Sequence, residues 1–196
     1  MSATNRGSVR NAADFYPTPP WVVYRLLEAV PSLQGRKHRW LEAGAGRGAI
    51  IKAATDFGCS AEWTAVEQEA SCLKSLRQMP NVQVVEEDFL CTKFRRKFTA
   101  CIMNPPYRQA AEFIEHALGC SDQVFALLRL NYLGSTKRAG FLRANMPDVY
   151  VLPQRPSFTG SGTDATEYAW MRWDSTGSRR TGNLTILDDT PIEERG

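Results

Sequence analysis

Trp40-Leu41-Glu42-Ala43-Gly44-Ala45-Gly46-Arg47-Gly48 is the stretch whose reading decides the fold. An apolar run, Arg39–Ala43, passes directly into three alternate glycines, and helix-forming residues Ala49–Phe57 follow. Strand, glycine turn and helix in that order open a parallel α/β unit in which the backbone can approach a ligand closely. The spacing is not G-x-G-x-x-G, because the third glycine comes one residue early, and no Lys-Ser/Thr pair follows as a phosphate loop requires. Neither a dinucleotide nor a nucleoside triphosphate is therefore the expected ligand.

Working outward, Glu62–Val66, Val82–Glu86, Phe98–Met103 and Val124–Leu130 read as further short buried strands, with helices near Ala70–Gln78 and Ala110–Leu118 between them. An earlier helix opens at Thr18-Pro19-Pro20 with Thr18 as its cap, and a basic helix spans roughly Ser135–Asn145. Two late strands, Val149–Leu152 and Tyr168–Trp173, flank the glycine-rich segment Ser157–Thr166, and Leu184–Leu187 is a candidate edge strand. The alternation predicts a doubly wound, Rossmann-like α/β fold, its mostly parallel seven-stranded sheet covered by helices on both faces. The expected organisation is a polar arm over 1–14, one domain over 15–173 and a polar tail over 174–196.

Composition sets the outer bounds. With 196 residues, 43% hydrophobic and 23% charged, the chain suits one globular domain rather than a disordered or disulfide-stapled one. No apolar run approaches the ~20 residues of a membrane span, and Met1–Asp14 has no signal-peptide core, so no membrane and a cytoplasmic location are expected. The net charge of +3 is mild, but Gln123–Pro147 carries Arg129, Lys137, Arg138 and Arg143 without an acid, and Lys93, Arg95, Arg96 and Lys97 form a second cluster. The five cysteines contain no C-x-x-C pair, and His38 and His116 do not fall at ligand spacing with them, so no metal site is expected. Cys91 and Cys101 read as buried core thiols.

Successive strand ends suggest the ligand. Glu67 ends the second strand, about 20 residues past the glycines, where a carboxylate accepts the two hydroxyls of a ribose. Asp88-Phe89 ends the third, an acceptor for an exocyclic amine beside an aromatic cover. Glycines, diol acceptor and amine acceptor without a pyrophosphate site suit an adenosine, and S-adenosylmethionine fits that description.

The fourth strand runs into Asn104-Pro105-Pro106-Tyr107. An aromatic amine is a poor nucleophile because its lone pair is delocalised into the ring. Hydrogen bonds from its two N–H groups to the Asn104 amide oxygen and the Pro105 carbonyl draw the nitrogen towards tetrahedral geometry. Two prolines hold those acceptors with little reorganisation, and Tyr107 offers a stacking face. The expected reaction is direct in-line methyl transfer.

Together these motifs resemble the N6-adenine DNA methyltransferases, particularly the small phage and prophage type, which are class I S-adenosylmethionine-dependent enzymes. Phe15-Tyr16-Pro17-Thr18-Pro19 is similar to the family's N-terminal motif, Glu42–Gly48 to its cofactor loop, and Asn104–Tyr107 to its catalytic tetrapeptide. Arg155-Pro156-Ser157-Phe158 with Asp164–Trp170 is similar to a late segment whose aromatic packs on the flipped base. The resemblance implies that Tyr16, Thr18, Glu42, Gly44, Gly46, Glu67, Asp88, Phe89 and Asn104 hold the cofactor. It implies that Asn104, Pro105, Pro106 and Tyr107 hold the target amine, with Phe158 against the base. Lys137, Arg138 and Arg143 are the expected phosphate contacts. Family members that read a defined sequence usually carry a further recognition domain, and 23 residues follow Trp173, so a protein partner or oligomer would supply specificity. RNA adenine methylation is an alternative with the same chemistry; protein-glutamine methylation and a catalytically silent nucleic-acid-binding module are weaker ones. Cytosine C5 chemistry is disfavoured, since no cysteine follows a proline as its nucleophile would.

Overall fold

The computed structural model describes residues 17–35, 38–158, 164–177, 181–191 and 193; Phe15 and Tyr16 lie outside the described residues. Alternate residues along the strands feed two separate cores, which is why the strand sequences are apolar throughout. Trp40, Trp63, Ala65, Ile102, Phe125 and Leu127 point to one face, and Leu41, Ala43, Val66, Met103, Val124 and Ala126 to the other.

The strands are β1 (His38–Ala43), β2 (Ala61–Val66), β3 (Val82–Val85), β4 (Ala100–Met103), β5 (Gln123–Arg129), β6 (Asp148–Val151), β7 (Tyr168–Asp174) and β8 (Leu184–Ile186). They form one sheet in the order β3-β2-β1-β4-β5-β7-β6-β8. The pairs from β3 to β5 are parallel. β7 runs antiparallel to both β5 and β6, and β8 runs parallel to β6. The helices are α1 (Pro20–Ala29), α2 (Ala49–Asp56), α3 (Ala70–Arg77), α4 (Ala110–Cys120) and α5 (Ala139–Ala144). Leu26 of α1, Ile50 of α2 and Leu76 of α3 pack on the first face, whereas Phe113 and Ile114 of α4 and Leu142 of α5 cover the second. The sheet is thus doubly wound, as the sequence predicts.

Four expectations change. Among the described residues the sheet has eight strands, not seven: the candidate edge strand in the expected tail pairs with β6 over residues 184–186. Leu187 is buried and pins that strand, while Leu184 and Ile186 are 68% and 60% exposed, so an alternating pattern is weak there. Thr18 does not cap α1; Pro19 takes the cap position without a side-chain bond, and the Thr18 hydroxyl is used elsewhere. α5 covers only Ala139–Ala144, because Arg138 is drawn back onto the preceding turn, donating from Nε to the Tyr132 carbonyl at 2.8 Å. Cys101 is buried, but Cys91 is exposed in the loop after β3.

A buried ion cluster ties the antiparallel end together. Arg172 on β7, 3% exposed, lies 3.5 Å from Asp148 of β6 and 3.6 Å from Asp174. No helix among the described residues is long and apolar enough to cross a membrane.

Candidate active site

At the carboxyl ends of β1 and β4 the chain departs in opposite directions, the position where open α/β sheets form a ligand crevice. A cavity of about 900 Å³ opens there. Its walls come from the glycine turn, Glu67 and its successors, the Glu87–Phe89 loop and Asn104–Tyr107. Thr18, Glu42, Gly44, Gly46, Glu67, Asp88, Phe89, Asn104, Pro105, Pro106 and Tyr107 are therefore brought together; Tyr16 lies outside the described residues.

The glycine turn is shaped by conformation more than by space. Gly44 sits at φ +65°, where a side chain would be strained although its Cβ would make only ordinary contacts, with Phe113 at 3.5 Å and Pro106 at 3.9 Å. Gly48, at φ +78°, has both constraints: an added Cβ would lie 2.6 Å from Met79 Cε. The turn is fastened to β2 by the Ala45 N–H donating to the Val66 carbonyl at 3.0 Å, and by Glu67. Glu67 Oε2 accepts from the Gly46 N–H at 2.6 Å, and Oε1 from the Glu69 N–H at 2.7 Å. Each oxygen has capacity for a second donor.

Glu42 lies deeper, 3% exposed, and accepts from the Ile51 N–H at 3.3 Å. Burial pushes its carboxyl well above the usual range; the Ile51 and Ile50 amides oppose this and the Glu67 charge adds to it. Asp88 Oδ1 accepts from the Leu90 N–H at 3.0 Å. The Phe89 ring is 2% exposed and packs against Phe113 and, edge-on, His116, so most of it fills the core beneath the crevice.

On the β4 side of the crevice, Asn104 Nδ2 donates to Thr18 Oγ1 at 3.2 Å. That bond fixes which end of the amide is the acceptor. The 3-10 turn Tyr107–Gln109 follows, its Gln109 N–H bonded to the Pro106 carbonyl at 2.9 Å, and leads into α4. The Arg129 guanidinium lies 4.9 Å over the Tyr107 ring. Burial drives the Tyr107 phenol far above its ordinary pKa; Tyr168 adds to the shift, although the two hydroxyls do not meet in hydrogen-bond geometry.

The remaining expected contacts stand apart. Phe158 is 8% exposed, edge-on to Tyr168 at 5.1 Å, and does not line the crevice. Lys137 and Arg143 are exposed, whereas Arg138 is engaged with the Tyr132 and Asn131 carbonyls and stacks 4.3 Å over the Tyr132 ring. The cluster Lys93–Lys97 precedes the amino end of β4, whereas the crevice lies at its carboxyl end. The sequence reading missed the Thr18–Asn104 bond and the grouping of Arg129, Tyr168 and Asp164; separations of 86 and 39 residues leave no local signal.

Comparison with known proteins places the architecture. Residues 24–120 match the family model described as the methyltransferase small domain. No curated protein matches the sequence. A proposed class I S-adenosylmethionine-dependent methyltransferase of Listeria monocytogenes superposes with a TM-score of 0.66 at 12% identity, over 94% of this chain and 68% of that one. A proposed RNA methyltransferase of Pyrococcus horikoshii gives 0.60 at 18% identity, over 86% of this chain and 84% of that one. The modification subunit of a proposed type I restriction enzyme of Vibrio vulnificus gives 0.60 at 13% identity, over 87% of this chain and 45% of that one. The chain has the Rossmann-like class I methyltransferase fold.

Proposed function

We propose that the chain is an S-adenosylmethionine-dependent methyltransferase acting on the N6 amine of adenine in DNA. One observation carries the reading: the glycine turn and Asn104–Tyr107 line a single crevice, so a cofactor and a target amine would meet across it. The fold match to class I methyltransferases and the Listeria structure's described cofactor support the same ligand. About 900 Å³ is at the upper end of ordinary ligand pockets, which suits a cofactor together with an extruded base.

The residues present fit the group. Burial raises the Glu42 carboxyl well above the usual carboxylate range, and a cationic ligand in this crevice would offset that cost of ionisation. Glu67 would accept the ribose hydroxyls with its remaining lone pairs while keeping the glycine turn closed. Asp88 would accept the adenine amine. S-adenosylmethionine would supply an electrophilic methyl group. The chain's own task is then to hold the target amine: the Asn104 amide oxygen, with the amide oriented by Thr18, and the Pro105 carbonyl would accept hydrogen bonds from its two N–H groups and sharpen its lone pair. Tyr107 would stack on the base once it leaves the duplex.

DNA is favoured by the resemblance of four motifs, in order, to the small phage-type adenine enzymes, and the Vibrio neighbour is described as a restriction-modification subunit. The Pyrococcus neighbour is described as an RNA methyltransferase, and RNA adenine is the second reading. Transfer of labelled methyl groups to a random DNA library and to a matched RNA library, followed by digestion to nucleosides, decides between them. N6-methyldeoxyadenosine is expected; label confined to RNA, or absent from both, overturns the DNA assignment.

A further inference from the structure

We propose that Arg129 is a positioning residue that sets the plane of the Tyr107 ring, with Asp164 and Tyr168 as its anchors. The inference rests on the methyltransferase reading and deepens it. β5 ends at Arg129, which lies in register opposite Tyr168, the first residue of β7. Arg129 Nε donates to Tyr168 Oη at 3.0 Å, and its terminal nitrogen lies 3.5 Å from Asp164 Oδ2. The Tyr168 hydroxyl donates to that same carboxylate oxygen at 2.7 Å, closing a three-membered network. A planar guanidinium held at two edges by partners on different segments keeps one orientation. The face so oriented lies over Tyr107, 4.9 Å from the ring centroid.

Tyr107 needs such a device. Among the described residues its buried hydroxyl has no partner in hydrogen-bond geometry, so no such bond at its polar end fixes the tilt of the ring. A cation over one face selects a ring plane and leaves the opposite face for a stacked base. Asp164 neutralises the cation, which suits a positioning role better than a phosphate contact. Because Asp164 lies in the connection between β6 and β7, the network also joins that connection to the catalytic loop.

The test separates this role from a structural one and from failure of the functional reading. Arg129→Ala is expected to lower kcat by about 3–30-fold, the range a cation–π contact spans, with the cofactor KM little changed. In a Tyr107→Ala background the same substitution is expected to have no further effect on kcat. An equal loss in both backgrounds, or a change in KM alone, overturns the proposal. Arg129→Lys, which keeps a charge but not the planar fork, should recover only part of the rate; full recovery would show that charge alone suffices and would overturn the clamp. Independently of any activity, the Tyr107 ring resonance in protein with labelled tyrosine, assigned with Tyr107→Phe, should move in Arg129→Ala. An unmoved resonance overturns the proposal even if the enzyme is active, and a moved one supports it even if no nucleic acid is methylated. Should Arg129→Ala fail to fold, Asp164→Asn loosens the same guanidinium and is read in the same way.

Discussion

Replacing Glu67 with Gln should damage both the stability of the domain and its grip on the cofactor. The carboxylate presents two different oxygens to two backbone donors, Gly46 at 2.6 Å and Glu69 at 2.7 Å. An amide has only one oxygen, so whichever way the side chain turns, one N–H faces another N–H. A hydrogen bond to a charged acceptor contributes about 1.5–3 kcal/mol, and an orphaned buried donor costs about 1–3 kcal/mol. These describe largely the same contact, so the net loss is about 2–3 kcal/mol. For a domain of this size that corresponds to a melting temperature lower by roughly 4–12 °C. The melt is followed by circular dichroism without ligand, and S-adenosylmethionine affinity by calorimetry, where a loss of about tenfold corresponds to one weakened polar contact. A variant melting with the wild type and binding the cofactor equally well would refute the view that Glu67 fastens the glycine turn.

Four further outcomes are expected. Asn104→Ala should reduce single-turnover methyl transfer by ~10²–10³ while leaving cofactor binding measured by calorimetry intact. Glu42 holds a proton in the folded chain that the unfolded chain releases, so the ligand-free protein should lose stability as pH rises from the ordinary carboxylate range towards the raised pKa. Glu42→Gln should flatten that dependence, and parallel melting curves against pH would contradict it. Gly48→Ala should cost about 1–2 kcal/mol for its left-handed backbone alone, with the Met79 contact in addition; Gly58→Ala, at φ +97° in open space, isolates the backbone part in thermal melts. Replacing Lys137 and Arg143 with Gln, leaving Arg138 in place, should lower the slope of log affinity for DNA against log salt by about one unit per lost phosphate contact.

The glycine turn and Asn104–Tyr107 were legible because their demands are local: positive φ at Gly44 and Gly48, and two rigid acceptors following a strand. The strands were legible because burial on both faces leaves continuous apolar runs. β8 showed only as a candidate edge strand over Leu184–Leu187, since its backbone pairs with β6 while Leu184 and Ile186 face solvent. Thr18 carries the same lesson for the site. Its place before two prolines fits a helix cap, but its hydroxyl meets Asn104, a partner 86 residues away, and only the folded sheet creates that proximity. Arg138 sits among basic residues that suggest a phosphate contact, whereas its guanidinium is spent on the carbonyls of its own turn.

The position of β7 has a consequence for how the protein is made. β5 and β6 do not pair with each other; each pairs with β7, which is synthesised after both. A nascent chain can therefore assemble β1–β5 with their helices while β5 and β6 still expose open edges, the kind of surface that recruits wrong partners. Closure waits for residues 168–174 to leave the ribosome, and the buried Arg172, already neighboured by Asp174 on its own strand, then favours the register that sets it opposite Asp148. Tyr168 arrives on the same strand, so the anchor behind Tyr107 is completed in the step that seals the sheet. A ribosome stalled before Tyr168 would hold a chain with its glycine turn and Asn104 already synthesised but Tyr107 unbraced.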